Sequence, residues 1–399
     1  MLSPISTSEQ DLLGRVRNLA QGVFLERAEC YDEGLAFPAE NFDDLFSNGL
    51  MMVPVSRKWG GLECAPAYGN VIGLWRMTVE IAQADLSFSR CWEGHNNAML
   101  LLDALGTDEQ KERWFTDVAQ NGARWAAWSG EPQSRVPGQK RKVGTTLEKV
   151  SGGYIVSGNK VFATSAPGAN WAILLVSQEG PGAARDSRNG ENSLMMMACN
   201  LSDATVSFDD KWWNPIGMRS TVSYQVNFAD TFIPDENVIG EVGQYIRDGF
   251  QAYFTPQYAA SFFGAASGAF ESALMFVRSQ GKQSDPFIQQ HVAAIQMNLD
   301  TLDLWLQDVA TKVSGADKTA SRIAGSKLRW LAETLSEDTV KRCVKMCGAR
   351  SLNKPSRLER VYRDLSIYTL HDNADHMLAN VGRELLGEPT QDAFFAIKT

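Results

Sequence analysis

The first part of the chain repeats its apolar residues at intervals of three and four positions, with charged residues in the gaps. The repeat is clear in Leu12, Val16, Leu19 and Val23. This spacing places apolar side chains on one face of an α-helix. Turn-forming pairs divide the region into helices of ordinary length: Phe37-Pro38, Asn48-Gly49, Gly60-Gly61 and Gly106-Thr107. We therefore predict an all-helical N-terminal module over residues 1–123.

The pattern changes near residue 124. Short apolar or alternating runs at 154–156, 172–176 and 224–228 have the composition and period of β-strands. Helical spacing returns beyond residue 241 and continues through segments such as 289–312 and 318–346. We predict a middle β module over 124–240 and a C-terminal helical module over 241–399, which makes the fold class α+β.

Composition narrows the class of partner. The chain has 399 residues, of which 44% are hydrophobic, so it can bury a large core. Its net charge of -9 argues against nucleic acid, because phosphate binding needs clustered Lys and Arg. Ser, Gly and Glu residues interrupt the most apolar stretch, 259–277, so we expect no membrane span. A small molecule is the expected partner.

The cysteines and the N-terminus bear on location. Six cysteines are scattered along the chain, and only Cys343 and Cys347 share a helical face, with no CxxC pair or His-rich partner. We expect free thiols and no metal site. The first twelve residues carry Glu9 and Asp11 and lack the apolar core of a secretory signal. These features predict a cytoplasmic protein.

A charged cluster near the C-terminus is the strongest candidate for chemistry. The run Arg360-Val361-Tyr362-Arg363-Asp364 is followed by His371 and Asp372. It resembles the C-terminal signature of the acyl-CoA dehydrogenase superfamily, in which an Arg-x-Tyr-Arg-Asp run leads to a catalytic Glu followed by Gly. Here Asp372 and Asn373 occupy those positions. The arginines also have a structural interpretation, since ion pairs to Glu359 and Asp364 would lock the C-terminal helices.

Other segments extend the resemblance over nearly the whole chain. Each matches a loop, helix start or turn of the superfamily: Val53-Pro54, Trp59–Leu62, Ala84–Ser87 with His95-Asn96, Gly106–Lys111, Gly158–Ser165, Gly217–Arg219 and Ile233–Gly240. The resemblance implies an N-terminal helical domain, a middle antiparallel β-barrel and a C-terminal four-helix bundle. It also implies a homotetramer with the cofactor at a subunit interface.

The same resemblance implies a flavin cofactor, FAD or FMN. An isoalloxazine ring needs apolar contact and hydrogen-bond donors directed at its heteroatoms. By position, the residues that would supply these contacts are Trp128, Ser129, Gly130, Phe162, Thr164 and Ser165, with Arg278 and Gly348 on the dinucleotide side.

Three departures from the superfamily pattern change the expected reaction. Asp372 replaces the catalytic Glu, and the segment 253–261, which carries the base in some relatives, has no Glu. The Arg-x-x-Phe-Gly motif is reduced to Arg278-Ser279-Gln280-Gly281, and the Gly-Gly-x-Gly run is reduced to Cys347-Gly348-Ala349. The grip on the adenine half of a dinucleotide is therefore weaker.

These departures, together with His371, His95 and Asp285-Pro286, are similar to the dibenzothiophene monooxygenase branch of the same fold. That branch takes reduced flavin from a separate reductase. The resemblance implies that His95 and His371 lie near the flavin position that reacts with oxygen, and that Thr164 or Ser165 contacts the flavin N5 atom. We therefore name His371, Asp372 and His95 as candidate catalytic residues.

Each of these assignments has a structural alternative. His95 could be a satisfied core histidine, and His371-Asp372 could begin a helix, with Asp372 accepting backbone N–H groups. Trp212 and Trp213 could form a substrate wall or belong to the β core.

The preferred function is a flavin monooxygenase that acts on a small organic substrate. The alternatives are an acyl-CoA or carrier-bound acyl thioester dehydrogenase with Asp372 as base, which electron-transfer flavoprotein could serve, and a flavin-binding protein without activity.

Overall fold

The computed structural model describes residues 7–132, 144–178, 194–371 and 373–388. Asp372 lies outside these residues, so its predicted role stays a prediction. The N-terminal region is helical, as the apolar spacing predicts. Its helices are α1 (Thr7–Leu19), a π-helical turn (Ala20–Phe24), α2 (Leu25–Gly34), α3 (Ala39–Ser47), α4 (Val71–Ala84), α5 (Leu86–Leu105) and α6 (Asp108–Asn121).

Local caps explain where the last two of these helices begin. The Asp85 side chain accepts the backbone N–H of Phe88 at the start of α5. Thr107 and Gln110 form a capping box at the start of α6. Helix α6 ends at Gly122, whose φ of 67° is left-handed and favours glycine.

The described residues that follow form a single sheet of eight strands. The strands are β1 (Trp125–Trp128), β2 (Thr146–Val150), β3 (Gly153–Ala163), β4 (Trp171–Gln178), β5 (Leu194–Asn200), β6 (Val206–Asp209), β7 (Tyr224–Pro234) and β8 (Val238–Ile239). Their order is β6-β7-β3-β2-β4-β5-β8, and β1 pairs with β4.

The sheet differs from the antiparallel barrel that the resemblance implied. Strand β4 pairs in parallel with both β1 and β2, while the other pairings are antiparallel. No pairing among the described strands joins β6 to β8 and closes the sheet. The β module is therefore a mixed sheet. Parallel neighbours need long crossover connections, which the spacing of apolar runs does not reveal.

The C-terminal region is helical again. It contains a short α7 (Gln244–Arg247), three long helices, α8 (Gln251–Ser279), α9 (Pro286–Val313) and α10 (Lys318–Cys347), and the shorter α11 (Arg357–Tyr368) and α12 (Ala374–Leu385). Helix α10 packs against α8, α9, α11 and α12. Asp285-Pro286 starts α9, where the Asp285 carboxylate accepts two backbone N–H groups.

Helix α8 runs through the middle of this arrangement. It is the one helix among the described residues that is long and apolar enough to cross a membrane by length and composition alone. However, 61% of its most apolar window is buried in the protein. Gly264 and Gly268 allow α4 to approach, because a Cβ at either position would lie within 2.3 Å of an α4 backbone oxygen. These contacts identify α8 as a core helix.

The two helical regions share one hydrophobic core, while a second core fills the other face of the sheet. The confirmed order is helices, sheet, helices. Boundaries at 123 and 240 fall between elements, since α6 ends at Asn121, β8 ends at Ile239 and α7 begins at Gln244.

Candidate functional site

Helix α5 lies between the sheet and the C-terminal bundle. On one side, the Ser87 hydroxyl is 3.8 Å from the Met218 sulfur, at a turn of the β module. On the other, the hydroxyls of Ser89 and Ser261 are 2.9 Å apart, which joins α5 to α8. Residues 86–102 of α5 are all buried. A helix buried on every side is placed by its neighbours, so α5 can hold polar groups at fixed positions in the junction.

His371 stands at this junction, just after α11. Its Nε2 is 3.3 Å from Nη2 of Arg90 on α5, and its ring packs 4.8 Å from Tyr258 and 5.8 Å from Tyr368 between ring centroids. The residue also keeps surface exposed to solvent. Desolvation by the surrounding protein, followed by the charges of Arg90 and Arg329, lowers the pKa of His371 well below its ordinary value. The ring is therefore neutral at physiological pH.

A buried carboxyl lies behind Arg90. Glu93 is fully buried, and it accepts hydrogen bonds from the hydroxyls of Ser261 and Tyr368. Its Oε2 is 3.5 Å from Nη1 of Arg90. Burial raises the pKa of Glu93 to about 7, although Arg90 and the two hydroxyls act in the opposite direction. The Arg90 guanidinium also lies over the Tyr258 and Tyr368 rings, 5.5 and 5.8 Å from their centroids.

The sheet side of the junction carries a cluster of hydroxyl groups. Thr164 and Ser223 are 3.0 Å apart between hydroxyl oxygens, and Ser223 is 2.7 Å from the Thr221 hydroxyl. Trp128 donates its indole N–H to the Thr164 carbonyl at 3.0 Å. Ser165 has a left-handed φ of 67°, and its buried hydroxyl has no hydrogen-bond partner among the described residues. A buried hydroxyl without a partner is costly unless a ligand supplies one.

An exposed aromatic ring borders these hydroxyls. Phe162 is 63% exposed and has a left-handed φ of 51°, which is uncommon for a bulky residue. Its ring meets Trp212 edge to face at 4.7 Å, and Trp213 is 6.2 Å away. Trp213 is buried and donates its indole N–H to the Arg219 carbonyl at 3.0 Å. Trp212 is thus the better placed of the two tryptophans for a binding wall.

A buried ion pair between Glu131 and Lys160 fixes the segment 129–132 in place. Glu131 binds Lys160, whose side chain is fully buried and also donates to the Leu175 carbonyl at 2.6 Å. Glu131 also accepts the backbone N–H groups of Gly144 and Thr145 at 2.9 and 3.2 Å. Gly130 must be small, because a Cβ there would lie 2.2 Å from the Val161 carbonyl oxygen. Ser129 and Gly130 therefore present their backbone from a rigid support.

His95 lies elsewhere, in the interior of α5. Trp125 donates its backbone N–H to Nδ1 of His95 at 3.1 Å, and Nε2 of His95 donates to the Met51 carbonyl at 2.6 Å. The residue has no exposed surface, and burial lowers its pKa to about 4. Both ring nitrogens are thus used by backbone groups. This geometry favours the structural alternative for His95 over the catalytic assignment.

Arg278 and Gly348 lie at the far end of the bundle. Arg278 is near the end of α8, twenty positions after Tyr258, which is roughly 30 Å along an α-helix. Gly348 ends α10 beside it, since the Cys347 thiol is 3.9 Å from the Ala273 carbonyl oxygen. Arg278 therefore lies far along α8 from Tyr258 and from the His371 ring that packs against it.

The residues near the sheet fit an isoalloxazine ring. Phe162 and Trp212 supply apolar surface, Ser129 and Gly130 supply rigid backbone, and the Ser165 hydroxyl lacks a partner. These are the two kinds of contact that a flavin requires.

Sequence reasoning missed Arg90, Glu93, Tyr258 and Tyr368. A signal was present, because Arg90 and Glu93 are three positions apart in α5 and are its only charged residues before Asp103. It also missed the pair Lys160 and Glu131, whose partners come from different strands and loops and share no sequence spacing.

Comparisons with known proteins agree with this architecture. Two family models match, Acyl-CoA dehydrogenase, N-terminal domain, over residues 6–122 and Acyl-CoA dehydrogenase, C-terminal domain, over residues 257–376. The chain is 24% identical to a dibenzothiophene monooxygenase from Rhodococcus erythropolis, over 96% of this chain and 95% of that protein.

Two solved structures illustrate the range of relatives. FMN-bound TdsC from Paenibacillus sp. A11-2 has a TM-score of 0.82 at 21% identity, over 96% of this chain and 99% of that chain. Butyryl-CoA dehydrogenase from Megasphaera elsdenii has a TM-score of 0.84 at 18% identity, over 97% and 100%. Together with the matching family models and the order of helices and sheet, these similarities establish that the chain belongs to the acyl-CoA dehydrogenase superfamily.

Proposed function

We propose that the chain is a two-component flavin-dependent monooxygenase, which receives reduced flavin from a separate reductase and transfers oxygen to a small organic substrate. The observation that carries the proposal is His371, whose neutral imidazole contacts Arg90 and the Tyr258 and Tyr368 rings at the junction of the sheet and the bundle, in a residue that keeps exposed surface. A neutral imidazole can donate or accept a hydrogen bond near a reacting oxygen. The similarity to dibenzothiophene monooxygenase supports the same interpretation.

The described carboxylates do not favour thioester dehydrogenation. A dehydrogenase needs a carboxylate that reaches an α-proton of the substrate. Among the described residues, Glu93 is the carboxylate that contacts Arg90 beside His371, and it is fully buried behind Ser261 and Tyr368.

Reduced flavin would bind on the sheet side of the junction. The flavin supplies the redox chemistry with oxygen. The residues that would hold its ring are Phe162, Thr164, Ser165 and the backbone of Ser129-Gly130, with the Trp128 indole fixing Thr164 from below. We infer FMN rather than FAD, because the glycine and arginine motifs for the adenine half are reduced and because TdsC is an FMN-bound relative.

We propose a homotetramer, which is the oligomeric state that the resemblance to the superfamily implies.

The alternative is an acyl thioester dehydrogenase with Asp372 as base. The similarity to butyryl-CoA dehydrogenase favours this alternative, because its TM-score and coverage are as high as those of TdsC. In that case the purified protein binds FAD tightly, and an acyl-CoA bleaches its absorbance under anaerobic conditions.

The two functions are separated by one set of assays. The protein is mixed with FMN, NADH and a flavin reductase, and given dibenzothiophene, indole or methanesulfinate under isotopically labelled oxygen. Mass spectrometry of the product reports oxygen transfer. We expect labelled product that depends on the reductase and on this protein, and no bleaching by a panel of acyl-CoA thioesters. Bleaching by an acyl-CoA without labelled product would contradict the monooxygenase proposal.

A further inference from the structure

Glu93 is a fully buried carboxyl that has no role among the residues proposed to hold the flavin. Burying a carboxyl is costly unless it is paired and hydrogen-bonded, because the charged form loses its hydration. Three helices converge on it: α5 carries it, Ser261 approaches from α8, and Tyr368 approaches from α11. Such a carboxyl ties the helices together, but the same hydrogen bonds also fix its direction toward Arg90.

Arg90 connects Glu93 to His371. Nη1 of the guanidinium is 3.5 Å from Glu93 Oε2, and Nη2 is 3.3 Å from His371 Nε2. The guanidinium is planar, so fixing one edge also fixes the direction of the other. The Tyr258 and Tyr368 rings also lie against the guanidinium, 5.5 and 5.8 Å from its central carbon, and 6.2 Å from each other. Arg90 therefore joins the two residues, through an ion pair with Glu93 and a hydrogen bond with His371.

We propose that Glu93 is a positioning residue for His371, which acts by holding the Arg90 guanidinium so that Nη2 donates to Nε2 of the imidazole. An arginine only donates hydrogen bonds, so Nε2 must be the acceptor. The proton of the neutral ring is then on Nδ1. Glu93 thereby selects one of the two tautomers of His371, and with it the ring nitrogen that carries a proton at the site.

The consequence for the reaction rests on the proposed function, in which His371 contacts the reacting oxygen. If the tautomer changes, a donor at that position becomes an acceptor. Misdirection of a catalytic group can cost about 10²-fold in rate without loss of binding. The effect is therefore expected in kcat rather than in the affinity for reduced FMN.

The test reads the His371 tautomer directly and needs no turnover. Protein with isotope-labelled histidine is studied by NMR, and the His371 signal is identified as the one lost in His371→Gln. We expect a protonated Nδ1 and an unprotonated Nε2 in the wild type. Glu93→Gln keeps the size of the side chain and removes the charge. It should convert His371 to the other tautomer or to a mixture, and lower kcat about tenfold to a hundredfold.

Two further variants test the route through Arg90. Arg90→Gln should change the tautomer in the same way, and the double variant Glu93→Gln/Arg90→Gln should show no larger effect than Arg90→Gln alone. If Glu93→Gln does not fold, Tyr368→Phe serves instead, since it keeps the ring against His371 and removes only the hydroxyl that Glu93 accepts. This variant should change the tautomer partially.

A matched control separates positioning from stability. Asp364 is another fully buried carboxyl, and it accepts the Met218 backbone N–H rather than contacting His371. Asp364→Asn should lower stability and leave the His371 tautomer unchanged. A wild-type tautomer in folded Glu93→Gln would overturn the proposal. If the His371 tautomer changes in Glu93→Gln while the wild type forms no labelled product, the result supports the positioning role and contradicts the monooxygenase function instead.

Discussion

At the scale of single residues, two histidines that the sequence treats alike differ in surroundings. His95 bonds two backbone groups inside a core helix, whereas His371 is exposed and contacts Arg90. A histidine whose two nitrogens are both satisfied by backbone stabilises the fold, while one with exposed surface is available for chemistry. The residues next to each histidine in the sequence do not predict this difference, because the partners of both rings are distant along the chain.

Substitution should separate the two roles. His95→Asn leaves a buried backbone group of Met51 or Trp125 without a partner, which costs about 1–3 kcal/mol of unfolding free energy. Its turnover per folded molecule should stay near wild type. His371→Asn should unfold like the wild type in urea and lose about 10²-fold or more in turnover. A normally folded His95→Asn without turnover would restore the catalytic assignment of His95.

At the scale of elements, the segment 129–132 depends on strand β3. Lys160 of β3 is fully buried and pairs with Glu131, which in turn holds the backbone of residues 144 and 145. The sequence pattern predicts β3 and the nearby turn, but a lysine within a strand is ordinarily expected at the surface. Its burial is decided by the carboxylate that another loop brings to it.

Breaking this pair should loosen the flavin side of the site. Lys160→Met leaves Glu131 charged and buried, so we expect a loss of about 3–5 kcal/mol in unfolding free energy and weaker binding of FMN. Denaturant unfolding and a flavin fluorescence titration measure the two effects. The double variant Lys160→Met/Glu131→Gln should lose less than Lys160→Met. As a control, Lys149→Met removes the exposed pair with Asp235 and should cost less than about 1 kcal/mol.

At the scale of the whole molecule, the Arg360–Asp364 run joins the three regions. Arg363 binds both carboxylate oxygens of Asp32 in α2, at 2.7 and 3.1 Å, and donates to the Ile216 carbonyl at 2.7 Å. It also pairs with Glu359, as the sequence predicts. Asp364 instead accepts the Met218 N–H at 2.5 Å. Through these contacts, the short helix α11 holds the N-terminal helices, the sheet and the bundle together.

Buried carboxyls in this junction should make stability depend on pH. Burial raises the pKa of Asp364 to about 7 and that of Asp85 to about 6. Between about pH 4 and 7 the folded state then holds protons that the unfolded state has lost, so these groups make the unfolding free energy fall as pH rises.

Asp364→Asn should remove part of that slope, by up to about 1 kcal/mol per pH unit, in unfolding experiments between pH 5 and 7. Asp338→Asn is the control. Burial tends to raise the pKa of Asp338, but hydrogen bonds from Arg342 and Asn298 outweigh it, so the net pKa is lowered. The stability that ionised Asp338 contributes is lost only when the pH falls below the ordinary pKa of a carboxyl. Asp338→Asn should therefore leave the slope of unfolding free energy against pH unchanged above pH 5. An unchanged slope in Asp364→Asn would show that Asp364 is ionised throughout.

The sequence by itself determined the order of helices and strands, the superfamily and the candidate flavin contacts, because these depend on apolar spacing and on contiguous motifs such as 158–165 and 360–364. Tertiary structure decided which polar residues work together. One such group comes from three helices and the turn that follows one of them: Arg90, Glu93, Tyr258, Tyr368 and His371. Their hydrogen bonds form, and the pKa of Glu93 is raised, only because folding buries them together away from water. The parallel pairings of β4 were decided in the same way, since pairing joins strands that are distant along the chain.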